Sequence, residues 1–184
     1  MDLLQFEAQD LYFDQADSIE VESLISRASL EYADGDAELP LLQAYLRAPE
    51  SLNVLVALNR FYYYQHRLEE ALLISEKALR LICQSLDFPD QWECLEPHHI
   101  DKAPKDQLTK IRLYLFTLKS LGFLHMRLHH LSLSEAIFSK LVSVDEMDRI
   151  GAKPLLELVQ KQTGTDVSIT ETEYQNANEV NHAV

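Results

Sequence analysis

Residues 52–81, LNVLVALNRFYYYQHRLEEALLISEKALRL, read as two amphipathic helices joined by a tight turn. In the first, Leu55, Leu58, Tyr62 and Gln65 recur at spacings of three and four and turn one stripe toward a neighbour. The second starts at Leu68, where Glu69, Glu70, Ala71, Leu72, Ser75 and Ala78 put small residues one or two turns apart, so that a partner helix can approach closely. A single hairpin of this kind cannot bury its own apolar face. The chain must supply further hairpins to stack beside it.

Two weaker copies of the pattern flank the first. Downstream, Leu121, Gly122, Leu124 and Leu128 are followed by Glu135, Ala136, Ile137, Leu141 and Val144. The stretch from His129 to Ser134 between them predicts an irregular turn, about two residues longer than such hairpins use. Upstream, Leu24, Ile25, Ala28 and Tyr32 lead to Gly35-Asp36 at a turn, then to Leu41, Leu42 and Leu46. Pro40 is tolerated there if the helix starts near Glu38, because the first turn has no use for the missing N–H.

At Leu58, Asn59 and Tyr62, and again at Leu68, Glu69, Glu70, Ala71 and Ala78, the chain resembles the tetratricopeptide repeat family, whose unit is a helix-turn-helix of about 34 residues. It departs from the family pattern where Asn59 replaces the usual glycine and where Gln65, His66 and Arg67 stand in place of a Gly-Asp turn. The resemblance covers residues 19–160 and implies an all-α fold of stacked helical hairpins, an α-solenoid fragment of two to three repeats. Residues 19–48 form a degenerate repeat, 51–86 the strong one, 87–105 an insert, 106–144 a second repeat and 145–160 a capping helix. Residues 1–18 read as an acidic, partly helical segment, and 161–184 as a disordered tail.

Composition agrees with helices: only four of 184 residues are glycine, and strand signals are nearly absent. No apolar run approaches the roughly 20 residues a membrane helix needs. Met1 to Phe13 lacks the basic start of a secretory signal, so a cytoplasmic protein is expected. Charge is uneven: residues 1–50 carry 12 acids against 2 bases, residues 51–160 carry 14 against 13, and the remainder 4 against 1. The N-terminal acidity would repel a nucleic acid, so that class of partner is disfavoured.

The insert, DFPDQWECLEPHHIDKAPK with prolines at 89, 97 and 104, is longer than ordinary connections. Its apolar members Phe88, Trp92, Leu95 and Ile100 predict that it packs partly onto the repeats. Asp106 through Leu128 then reads as a long helix, and Asp148 to Val159 as a final one that Pro154 kinks or delays. Cys94, His98 and His99, with His66 as a neighbour, are zinc-compatible residue types, but no CxxC or HxxxH spacing occurs and Pro97 interrupts the register. His129-His130 falls at a turn, where exposed histidines are expected. No nucleophile elbow and no glycine-rich phosphate loop is present, so neither a catalytic residue, a metal nor a cofactor is assigned.

The family resemblance implies a binding surface instead. First-helix side chains pointing away from their own second helix line a concave groove for a peptide. Here those are Asn53, Val56, Arg60, Tyr63 and Tyr64 on the strong repeat, and Phe116, Lys119, Phe123 and Arg127 on the last. Val56 and Arg60 stand where chaperone-binding members keep a lysine and an asparagine, which removes the carboxylate clamp. Size and charge are similar to those of the small acidic chaperones of type III secretion, from which the long insert departs. "RFYYYQHRLEEAL", the tryptophan-bearing insert, "YLFTLKSLGFLHMRL" and "DRIGAKPLLELV" resemble small repeat proteins accompanying bacterial nitrogen-fixation operons. The expectation is a non-enzymatic adaptor or assembly factor that binds a protein or peptide. The alternatives are a self-associating structural protein and a metal-binding accessory protein using Cys94 and His98.

Overall fold

A computed structural model describes residues 17–33, 35–86 and 88–164. The expectations for residues 1–16 and 165–184 lie outside them. Eight helices and no strand are found among the described residues: α1 (Ile19–Glu31), α2 (Glu38–Arg47), α3 (Leu52–Tyr64), α4 (Leu68–Leu86), α5 (Pro97–Asp101), α6 (Leu108–Arg127), α7 (Leu131–Val144) and α8 (153–164). No helix among them is long and apolar enough to cross a membrane.

Serines start two of these helices. The Ser18 hydroxyl accepts from the Val21 amide and the Ser51 hydroxyl from the Val54 amide, each at 3.3 Å, satisfying an N–H that the first turn leaves orphaned. Pro40 sits in the first turn of α2, as its fixed φ allows. Short α5 carries Pro97 at its start and a reciprocal cap in which the Glu96 amide donates to His99 Nδ1 at 3.0 Å.

The hairpins α1/α2, α3/α4 and α6/α7 close with the same turn. In each, a left-handed residue sits just past the first helix: Gly35 at φ 85°, His66 at 58° and His129 at 61°. Around it the amides of Gly35, His66 and His129 donate to the carbonyls of Tyr32, Tyr63 and Met126, and those of Asp36, Arg67 and His130 to Glu31, Tyr62 and His125. This paired 6→1 and 5→2 bonding satisfies carbonyls that a helix end would otherwise strand. The expected longer turn after α6 is therefore corrected: Leu128–His130 is three residues long, the same length as Gln65–Arg67. Histidine adopts at two of these turns the left-handed conformation that glycine takes at the third, and α7 begins at Leu131, which puts buried Ser134 against α6 and leaves Ala136 exposed.

Two apolar clusters fill the molecule. Val21, Ala28, Leu41, Ala44, Val54, Leu58, Phe61 and Ala71 join α1 to α4, while Ile82, Leu95, Tyr114, Leu118, Phe138, Leu141 and Val159 join α4, the insert, α6, α7 and α8. The insert is pinned: Leu95 is buried, its carbonyl accepts from Lys140 Nζ at 3.1 Å, and the Cys83 thiol donates to the Phe88 and Pro89 carbonyls at 3.3 and 3.1 Å. Pro154 delays the last helix rather than kinking it. Asp148 Oδ1 caps α8 by accepting from the Ala152 and Lys153 amides at 2.7 and 3.1 Å. The helix continues through residue 164, four residues into the stretch expected to be tail.

Candidate functional site

A cavity of about 670 Å³ opens between α1 and α3. From α3 it takes Asn53, Val56, Ala57, Arg60, Phe61 and Tyr64, which a helix presents at three- and four-residue spacing along one side. From α1 come Glu22, Ile25, Ser26, Ser29 and Tyr32, with Ala37 and Leu41 at the floor. Phe61 and Tyr32 meet edge-on at 6.3 Å, joining the two walls through aromatic contact.

Polar groups are concentrated at one end and along the rim. Asp17 Oδ2 accepts from Asn53 Nδ2 at 2.8 Å and from the Ser51 hydroxyl at 2.9 Å, fixing the chain just before α1 to the start of α3. Arg60 supplies a guanidinium to the lining, and Asp17 and Glu22 supply carboxylates. Tyr64 is 43% exposed at the far end of α3, a large amphipathic ring held at the mouth. Apolar walls with a few oriented polar groups, at a volume within the ordinary 300–1,000 Å³ range of binding cavities, suit an inserted side chain or a short helix.

Of the nine side chains expected in a groove, Asn53, Val56, Arg60 and Tyr64 line this cavity together. Tyr63 instead meets Phe123 of α6 at a tilt, 6.1 Å between ring centroids, and Tyr64 edge-on at 5.5 Å. Phe116 packs half-buried against the larger cluster, with Arg112 at 5.6 Å and Lys119 at 6.0 Å from its ring. Arg127 is exposed at the end of α6. Lys119 departs most from expectation: it is buried, and its amine donates to the Ile150 carbonyl at 2.5 Å. Burial disfavours its charged form and holds its pKa below the ordinary lysine value, while Asp148 acts in the opposite direction.

The α1 wall, Glu22, Ile25 and Ser29, was not assigned from sequence. Its signal lies in register: Gly35 precedes His66 by 31 positions, and moving Asn53, Val56 and Arg60 back by that number lands on those three residues.

Cys94 is exposed, His98 Nδ1 pairs with Glu96 at 2.9 Å, and the His98 and His99 rings stack at 4.0 Å. Among the described residues no three His, Cys, Asp or Glu side chains converge on a common point. A further histidine pair sits at the α6/α7 turn: His125 is buried, with Nδ1 3.2 Å from Nδ1 of exposed His130. Burial, and then the neighbouring imidazole, lower the His125 pKa.

No protein-family model and no solved structure matches the chain. An uncharacterized 19.8 kDa protein from the nifW 5′ region of Azotobacter chroococcum mcd 1 is 38% identical over 163 residues, spanning 89% of this chain and 91% of that protein. Identity at that level across nearly both lengths places them together: the chain belongs to the family of this nifW-region protein.

Proposed function

We propose that this protein is a tetratricopeptide-like adaptor or assembly factor, non-enzymatic and cytoplasmic, that holds a segment of a partner protein in the groove between α1 and α3. The observation that carries the reading is the cavity itself, where Asn53, Val56, Arg60 and Tyr64 face the α1 wall across about 670 Å³. Three hairpins with one shared turn support the repeat character, since stacked hairpins leave a concave face along their first helices. The relative's position in a nifW 5′ region supports an accessory role beside nitrogen-fixation genes. Tyr64 is the anchor: an aromatic ring that becomes fully desolvated at an interface commonly contributes about 2 kcal/mol or more.

Affinity capture from the native cell with the wild-type protein and with the Arg60→Ala/Tyr64→Ala double variant tests the reading. The variant should keep its helical circular dichroism and lose its main partners at least tenfold. Equal recovery of the same partners by both proteins would remove the groove from the account. A self-associating reading draws on Leu39, Leu42 and Leu46, a stripe along α2 that is 60%, 37% and 79% exposed. Light scattering after size exclusion, with a Leu46→Lys variant beside the wild type, decides that alternative.

A further inference from the structure

We infer that the groove between α1 and α3 takes a cationic amphipathic segment of another protein, with a lysine or arginine against Asp17 and Glu22 at one end and apolar side chains along the walls toward Tyr64. The inference rests on the groove reading of the proposed function and adds the chemistry and direction of the occupant.

The groove has two unlike ends because its walls run side by side in the same direction. The Asp17 carboxylate, just before α1, accepts from Ser51 and Asn53 at the start of α3, so the two helices begin together. Tyr32, just past α1, meets Phe61 near the end of α3, and Tyr64 is the last residue of that helix. Asp17 and Glu22 therefore lie at the end marked by Asn53, and the aromatic rings toward Tyr64, about 16 Å further along α3 at roughly 1.5 Å per residue. Between the two ends Ile25, Leu41 and Ala57 keep the lining apolar.

The acidic end has no cation to match it. The donors that Asp17 meets among the described residues are neutral, and Glu22 is exposed and enters no ion pair among them. Residues 17–50 carry eight acids against two bases, and both bases are committed elsewhere: Arg27 to Glu31 at 2.7 Å and Arg47 to Glu20 at 2.6 Å. Arg60, the one base among the described lining residues, is already engaged and lies about 10 Å along α3 from Asn53. Acids in a first turn also answer the helix dipole, but Glu20 stands in that turn as well, and only Glu22 of the two lines the cavity. Two unmatched carboxylates beside apolar walls favour a cation that arrives on an apolar segment and disfavour an acidic one.

Selection from a random dodecapeptide phage library on the full chain, followed by fluorescence anisotropy of the selected peptides as synthesised, tests this with no native partner. Lysine and arginine should be enriched about twofold or more over the unselected library, within one to two helical turns of a bulky apolar residue. Glu22→Lys should weaken those peptides about fivefold or more and, on reselection, turn the preference toward acidic peptides. Asp17→Asn, which keeps an acceptor for Ser51 and Asn53, should weaken them less. Tyr64→Ala should weaken them without changing the charge preference. Peptides that need Tyr64 but show no cation enrichment, or are indifferent to Glu22→Lys, would overturn the inference and leave the groove standing. Peptides insensitive to both substitutions would remove the groove as well. A selection that returns nothing above background would also overturn the inference, and the capture experiment would then judge the groove alone.

Discussion

The hairpins α3/α4 and α6/α7 share one frame, displaced by 63 positions, and use it for different ends. His66 and His129 occupy the same left-handed turn position, and each pair is tied by a single side chain at its crossing. In the first, Asn59 Nδ2 donates to the Ala71 carbonyl at 2.8 Å and to the Ser75 hydroxyl at 2.6 Å. In the second, the Ser134 hydroxyl donates to the Gly122 carbonyl at 2.8 Å, and the space opposite Gly122 is filled by the ring of Phe138. The large side chain has changed helices. Outward from the frame the contrast widens: Val56 faces the cavity, whereas Lys119, at the same position 63 residues later, is sealed beneath the loop carrying Ile150 and Gly151. A shared hairpin fixes where side chains point, and the stacked neighbour decides whether they make a site or a core.

The strongest way to break this comparison is to empty the second crossing. Phe138 is fully buried, so Phe138→Ala should cost about 3–5 kcal/mol in urea unfolding. Gly122→Ala alone places a Cβ 2.8 Å from Phe138 Cε1, and should lose about 1–2 kcal/mol despite the roughly 1 kcal/mol that alanine gains in a helix. Combined, the two should be strongly non-additive, with Gly122→Ala neutral or stabilising once the ring is gone. Additive losses would mean that the two residues do not share one space. At the first crossing Asn59→Ala should cost about 1 kcal/mol, because it removes hydrogen bonds but opens little volume.

Much of the frame was legible beforehand. Spacings of three and four at Leu55, Leu58 and Tyr62, and small residues at Ala71, Ser75 and Ala78, encode the α3/α4 contact directly, since periodicity and size are local properties. The α6/α7 turn was read as two residues too long because the second helix was matched from Glu135 and Ala136, while Ser134, polar yet buried, lies at the crossing and bonds back to Gly122. Lys119 was misplaced for a tertiary reason: nothing within the helix announces that a loop 31 residues away will cover it. The α1 wall needed a register across hairpins that the degenerate first copy obscured.

The turns offer a finer test. His66 and His129 both hold a backbone that costs an ordinary L-residue about 1 kcal/mol, so His66→Gly and His129→Gly should each stabilise by roughly 0.5–1 kcal/mol and by similar amounts. A melting-temperature gain at only one of them would show that the turns differ in more than sequence.

The smallest effect is on acidification, and it should be confined to the second hairpin. Arg67 lies over the Tyr62 ring at 4.6 Å, and at the equivalent positions His130 lies beside His125 with ring centroids 5.5 Å apart. His125 has a folded pKa below its unfolded one, so the unfolded chain takes up the proton first and stability falls as pH drops below about 6.5. Thermal melts between pH 7.5 and 5.5 should show that loss, and His125→Tyr with His130→Arg should abolish its local part.

The meeting of Gly122 with Phe138 also orders how such a chain can drift. Enlarging position 122 is open only to lineages that have already shrunk position 138, and at the first crossing the order is mirrored, because Asn59 Nδ2 already lies 2.6 Å from the Ser75 hydroxyl. Two hairpins of one frame thus constrain substitution in opposite orders, and a relative that carries a larger residue at position 122 should carry a smaller one at position 138.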